Sequence, residues 1–356
     1  MAAYTTIDDP SAYFQTAIYT GNGGTIDVVN DGNSDLQPDW LWFKCRSHNT
    51  DHGLQDSVRG ASLALQSNTG GADGDVGTSQ ITAFGSDGFS LASGGDVNTN
   101  SRTYVCWQWK TGTSFSNDAS STGIGTIDSA GSVNQDAGFS IVSYTGNSPN
   151  ATTIKHGLNS IPQMIIFKRL VGVGNFTVYH QSLGNTKGIF LTTTAASDTD
   201  SGYFNNTTPT SSVFSVANSG DTNSNGNAMI AYCFAEKTGY SKFGSYTGNG
   251  NADGAFVNTG FKPAFLLVKR SSQANNDWNL HNNKSPGFNV NNSYLAPNDT
   301  AAEVTGNTSQ IFDLLSNGFK CRGAGTGSNA SGSTYIYMAF AENPFVASNF
   351  NAATAR

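Results

Sequence analysis

Two short stretches carry the residue types and spacing of a cation loop. In "DVNTN" (96–100) and "DTNSNG" (221–226) side-chain oxygens recur at alternate positions: Asp96, Asn98 and Asn100 in one, Asp221, Asn223 and Asn225 in the other. The first half of a calcium loop presents its ligands in this way. The twelfth position, where such a loop supplies a bidentate Glu, is Trp107 in one case and Tyr232 in the other. A corresponding stretch further on, "GSNAS" (327–331), has no Asp. Calcium is therefore kept as an alternative. A hairpin held by Asn and Asp side chains accounts for the pattern with fewer assumptions, and the expected cofactor set is empty.

Other chemistry finds less support. Hydrolysis of a glycosidic bond needs two carboxyl groups flanking it. Glu occurs only at Glu236, Glu303 and Glu342. Glu236 and Glu342 each close an identical "FAE", which makes them one repeated structural feature rather than a pair in one site. Aspartates in stretches such as "GGADGD" (70–75) read as Asx-turns. His48 and His52 lie four apart in the polar "SHNTDHG" (47–53) and read as solvated turn residues. His180 ends a predicted strand, and aligning the chain on itself places Asp56 and Asn282 opposite it, a polar position with no fixed chemistry. No phosphate-cradling glycine loop, dinucleotide fingerprint or nucleophile elbow is present. Cys45, Cys106, Cys233 and Cys321 have neither zinc nor redox spacing and are expected to be unpaired structural thiols. The expectation is a protein that is not an enzyme, with a glycan-cleaving depolymerase as a second alternative.

The elements that must position these residues follow from composition. Only 12% of the 356 residues are charged, 41 are Gly, and aromatics make up 11%, chiefly Phe and Tyr. Gly, Ser, Thr and Asn are poor helix formers, while Phe and Tyr suit pleated surfaces. The net charge of −7 includes no basic run able to neutralise a phosphate backbone, which argues against nucleic acid. Apolar runs such as "AFLLV" (264–268) are too short to span a bilayer. The segment "MAAYTTIDDPSAYF" lacks the basic and apolar regions of a secretory signal, so that export route is not expected.

Internal repetition is the strongest signal. Tyr-Thr-Gly-Asn occurs at 19–22, 144–147 and 246–249. After each comes a proline that opens "PDWLWFKCR", "PQMIIFKRL" or "PAFLLVKRS", with a lysine six places on at Lys44, Lys168 and Lys269. "SDGFSL" (86–91), "SSVFSV" (211–216) and "SNGFKC" (316–321) follow, and then an aromatic-rich closing run. Short runs bounded by Gly, Asn, Asp and Ser predict strands, and several per repeat predict antiparallel sandwiches. The fold class is thus all-β, three tandem antiparallel β-sandwich modules of jelly-roll or concanavalin-A-like type. Residues 1–112, 138–239 and 240–356 form the modules, with 113–137 as a Gly/Ser/Thr-rich linker or arm and the tail 346–356 either mobile or docked. Each YTGN is read as a strand exit whose Gly supplies a positive φ. Function is expected in the loops that differ between repeats, at 46–60, 169–188 and 271–292.

The stretches "DDPSAYFQTAIYTGNGG", "LQDSVRGA", "GFSIVSYTGN", "AYCFAEKTGYSKFGSYTGNGNADGAFVNTGFKPAFLLVKR" and "YIYMAFAENPF" resemble a family of repeat-built bacteriophage virion proteins. These are frequent in phages of aquatic bacteria and are described as tail-fibre-like or concanavalin-A-like (lectin-like). The resemblance runs from about Asp8 to Val346 and is most specific over 231–270. It implies a virion component made in a bacterial cytoplasm and carries no catalytic or binding residue across. The implied partners are other virion proteins and copies of itself, a trimer among the arrangements. An adsorption role would add host-surface glycan, with exposed Trp and Tyr as stacking faces; the alternative is capsid decoration or another structural virion part.

Overall fold

The computed structural model describes residues 5–347 and 353; most of the tail and the first four residues lie outside the described part. One antiparallel order of four strands recurs in three sheets, each time built from a single repeat. In the first, Phe14–Thr20, Thr103–Trp109, Trp40–Cys45 and Gly53–Asp56 lie side by side. Phe139–Thr145, Ala228–Phe234, Met164–Arg169 and Thr177–His180 take the same places in the second. Ser241–Thr247, Thr334–Pro344, Phe261–Arg270 and Trp278–Asn282 take them in the third. The lysines fix the correspondence, because Lys44, Lys168 and Lys269 face Val105, Ile230 and Ile336 across the central pair. The chain is all-β with open antiparallel sheets, as its composition requires, and the described helices are single turns.

Both faces of each sheet are buried, which explains the uninterrupted apolar runs. One face packs on a small sheet of its own repeat. Leu41 and Phe43 meet Phe89 and Leu91, Ile165 and Phe167 meet Phe214 and Val216, and Leu266 and Val268 meet Phe312 and Phe319. The other face belongs to one core common to all three repeats. Trp40, Trp42 and Trp107, then Ile166, Ile230 and Tyr232, then Phe265, Leu267 and Met338 alternate into it along their strands. Aromatic pairs cross the seams: Trp40 stacks on Tyr232 at 4.6 Å, Phe14 on Phe340 at 5.2 Å, and Trp109 meets Phe265 edge-on at 5.4 Å. Such pairs each add about 0.5–1.5 kcal/mol beyond the area they bury.

The stretch 113–137 is not a linker. Thr113–Asn117 and Ser129–Asn134 form a hairpin whose second strand pairs with Phe139–Thr145; with Lys187–Phe190 and Asp198–Thr199 on the far edge, the second sheet has eight strands. Its Gly and Ser serve close packing: a Cβ on Gly131 would lie within 1.9 Å of the Ile141 carbonyl oxygen. Val133 and Phe115 anchor the hairpin on the outer core of that repeat.

Candidate functional site

The Asp-x-Asn-x-Asn loops and the YTGN turns meet at the end of each sandwich. The middle Asn is the hub. The side-chain oxygens of Asn98, Asn223 and Asn329 accept the backbone N–H of Asn22, Asn147 and Asn249 at 2.9, 2.9 and 3.0 Å. Their amide groups donate to backbone carbonyls, among them those of Ala92, Ala217 and Gly323. The third copy keeps the Asn without any Asp, so the repeated element is the Asn and its role is loop closure. Asn100 and Asn225 are exposed, and Asp221 accepts from the backbone and side chain of Asn175. Burial, followed by the neighbouring Asp51, raises the Asp96 pKa. Among the described residues no three His, Cys, Asp or Glu side chains gather as metal ligands.

The YTGN glycine does not supply a positive φ. That conformation falls after the Asn, at Gly23 (70°), Ser148 (68°) and Gly250 (69°). Gly21, Gly146 and Gly248 are required by contact instead: a Cβ there would sit 2.3, 2.3 and 2.4 Å from the carbonyl oxygens of Thr99, Ser224 and Ala330. The tyrosine hydroxyls donate across the same crossing, to the carbonyls of Val97, Thr222 and Ser328.

The three repeated lysines sit where the sheets fasten to one another. All are fully buried. Lys44 donates to the carbonyls of Thr50 (2.6 Å) and Thr300 (2.7 Å), the second in the third repeat. Lys168 donates to Gly174 (2.6 Å) and to Gly70 (3.0 Å) of the first repeat. Lys269 donates to the Asn276 carbonyl, beside the loop of the second repeat. Burial pushes each lysine pKa down to about 8. Two backbone hydrogen bonds accompany each fastener. Thr50 N–H meets Thr300 O and Glu303 N–H meets Arg46 O, while Gly174 N–H meets Gly70 O and Asp73 N–H meets Leu170 O. At the last seam Asn276 N–H meets Thr194 O and Ser197 N–H meets Ser271 O. The contacts run first to third, second to first, third to second. A head-to-tail contact that returns to its start makes a closed ring. The lysines were visible in the sequence by their constant place after the proline, but the carbonyls of other repeats that Lys44 and Lys168 reach, Thr300 and Gly70, were not.

Four of the five histidines are buried and structural as well, His48 alone being exposed, and the reading of His52 as solvated is overturned. His52 is buried; its Nδ1 accepts from Trp42 Nε1 (3.0 Å) and its Nε2 donates to Ala296 O (3.0 Å). His180 Nδ1 accepts from the Ser182 N–H, and Nε2 donates to Tyr337 O at 3.1 Å. Burial lowers the pKa of His52 well below the usual value and takes His156, His180 and His281 to about 4. Asp56 and Asn282 do occupy the place of His180, facing Trp40 and Phe265 as His180 faces Met164. Asp56 pairs with Arg59 (2.6 Å) and accepts from the Tyr232 hydroxyl (2.8 Å) of the second repeat. Glu236 and Glu342 pair with different lysines, Lys242 and Lys262. The four cysteines are free and buried. The five tryptophans are buried too, and none of the described tyrosines is exposed, so the stacking faces expected on the loops are not there.

A polar cleft of about 320 Å³ opens between the first and third repeats, lined by Ser11, Gln15 and Thr16 on one side and Asn283, Lys284 and Glu342 on the other. No curated protein and no solved structure matches the chain. One family model spans 9–344 as a single match over all three repeats, and the chain therefore belongs to the family described as a domain of unknown function (DUF7483).

Proposed function

We propose that the chain is a non-enzymatic structural protein of a bacteriophage particle, a surface or decoration subunit that contacts other virion proteins and copies of itself. The observation that carries this reading is the ring of fasteners. Lys44, Lys168, His52 and His180, side chains able to do acid–base chemistry, are sequestered on carbonyls that tie one repeat to another. Such an arrangement suits a body whose task is to hold its shape. Three like faces around one centre suit a threefold seat on a larger assembly. The buried tryptophans remove the support that exposed rings gave to a host-adsorption role, so structural decoration is preferred to an adhesin. Reduced buried thiols accord with synthesis in a bacterial cytoplasm.

The test is immunogold labelling of purified particles of a phage that encodes the chain. Labelling of capsid or tail surface is expected. Absence of the chain from purified, infectious particles would overturn the proposal.

A further inference from the structure

Lys262, Asn283 and Glu342 bring an amine, a carboxamide and a carboxylate together in the third repeat. Lys262 Nζ lies 3.2 Å from each oxygen of Glu342, and Asn283 Nδ2 donates to one of them, Oε2, at 2.9 Å. The backbone accounts for the meeting. Pro263 has no N–H to give the ladder, and the pairing of Phe261–Arg270 with Thr334–Pro344 slips there. Lys262 faces Asn343 and Pro263 faces Ala341, which leaves Glu342 as the extra residue of a bulge. Bulges re-aim side chains in this way. Asn283 is held in place by its own N–H, which donates to the Ala264 carbonyl at 2.9 Å. The other repeats break the set. The residue before the proline is Gln37 or Ile161 there, the residue after Asp56 or His180 is Ser57 or Gln181, and Glu342 corresponds to Thr111 or Glu236.

The surroundings favour reaction between these groups over reaction with water. Lys262 is 4% exposed, and the three share a pocket with Phe288 and Leu314 whose free volume, about 10 Å³, holds one water at most. The Asn283 side-chain oxygen is closed to solvent and has no partner in the protein. A lysine amine that has shed a proton is a nucleophile, and holding it beside a carboxamide makes the attack effectively unimolecular. We infer that Lys262 and Asn283 join in an intramolecular isopeptide bond, with Glu342 as the proton carrier. Glu342 takes a proton from the Lys262 ammonium, and Nζ attacks Cγ of Asn283. The Asn283 oxygen takes up the negative charge as the tetrahedral centre forms. The Nζ–Cγ bond forms, the Cγ–Nδ2 bond breaks, and the two protons lost by Lys262 leave with Nδ2 as ammonium. Glu342 ends as the carboxylate it began, and nothing is oxidised or reduced. The bond ties the head of a central strand to the turn whose Lys284 reaches Asp31 of the first repeat at 2.6 Å. The inference stands apart from where the chain sits on a particle, because it needs only the isolated protein.

Mass spectrometry of the purified full chain tests it. The intact mass is expected to fall below that of the sequence by about 17 Da, one ammonia. After trypsin, peptide 243–269 should be recovered covalently joined to peptide 271–284, which distinguishes the bond from loss of ammonia within a single Asn. Lys262→Arg keeps the charge beside Glu342 but removes the nucleophile, and it should show its full mass and release the two peptides separately. Glu342→Gln should do the same, and Asn283→Ala gives a further reading should either variant fold poorly. Full mass in the unaltered chain, with both peptides recovered free, overturns the inference. A joined pair that persists in Lys262→Arg or Asn283→Ala overturns it as well.

Discussion

Gly146 and Ser148 stand two residues apart in one turn and face opposite demands. Gly146 has ordinary backbone angles but no room for a Cβ, whereas Ser148 has room and holds a left-handed φ of 68°. Gly146→Ala should therefore lower stability by about 1–3 kcal/mol, the usual cost of forcing atoms into filled space. Ser148→Gly should be neutral to stabilising by less than about 1 kcal/mol, since relief of strain is partly offset by the entropy of the unfolded chain. Urea midpoints measured side by side separate the two. The sequence alone made this turn legible as a repeated strand exit. It misplaced the glycine's reason, because the carbonyl that crowds it lies nearly 80 residues away in the chain, at Ser224. The same distance hid the role of Asn98 and Asn223: oxygen spacing resembled cation ligands, while the donor each oxygen meets comes from the YTGN loop.

Strands were legible as elements, and their partners were not. "MIIF" and "FLLV" announce strands buried on both faces. A two-layer sandwich buries only one, so the second face required a further layer, and the other repeats provide it. The hairpin at 113–137 was obscured by its Gly/Ser/Thr content, which reads as linker unless Val133 and Phe115 are taken as anchors. Lys44 and Lys168 act at this scale, each joining a strand of its own repeat to a loop of another. Lys168→Met should keep the packed stem but leave the Gly174 carbonyl without that donor and remove a bond to Gly70. A loss of about 2–3 kcal/mol is expected for a buried charged donor. Amide exchange at Gly174, whose N–H bonds to Gly70 O across the same seam, should accelerate ahead of exchange in the central strands.

At the scale of the whole molecule, acid should loosen the ring. His156, His180 and His281 have folded pKa values of about 4, below the unfolded value of about 6.5. As pH falls from about 6.5 towards 4, the unfolded chain takes up protons that the folded one refuses. Stability must then fall, by up to about 1.4 kcal/mol per pH unit for each histidine. Asp73 and Asp96, whose pKa values burial raises, act in the opposite direction at the acid end. The clearest reading is therefore the urea midpoint between pH 7 and pH 5, which should drop steadily. Replacing His180 with Asn, the residue at its place in the third repeat, should flatten that slope.

The central claim is that three sheets share one core and one closed set of fasteners, so that no repeat is stable without the others. Scanning calorimetry of the intact chain at neutral pH tests it most directly. The account predicts one transition whose calorimetric and van't Hoff enthalpies agree. Two or three resolved transitions, each with the enthalpy of a single repeat, would contradict it.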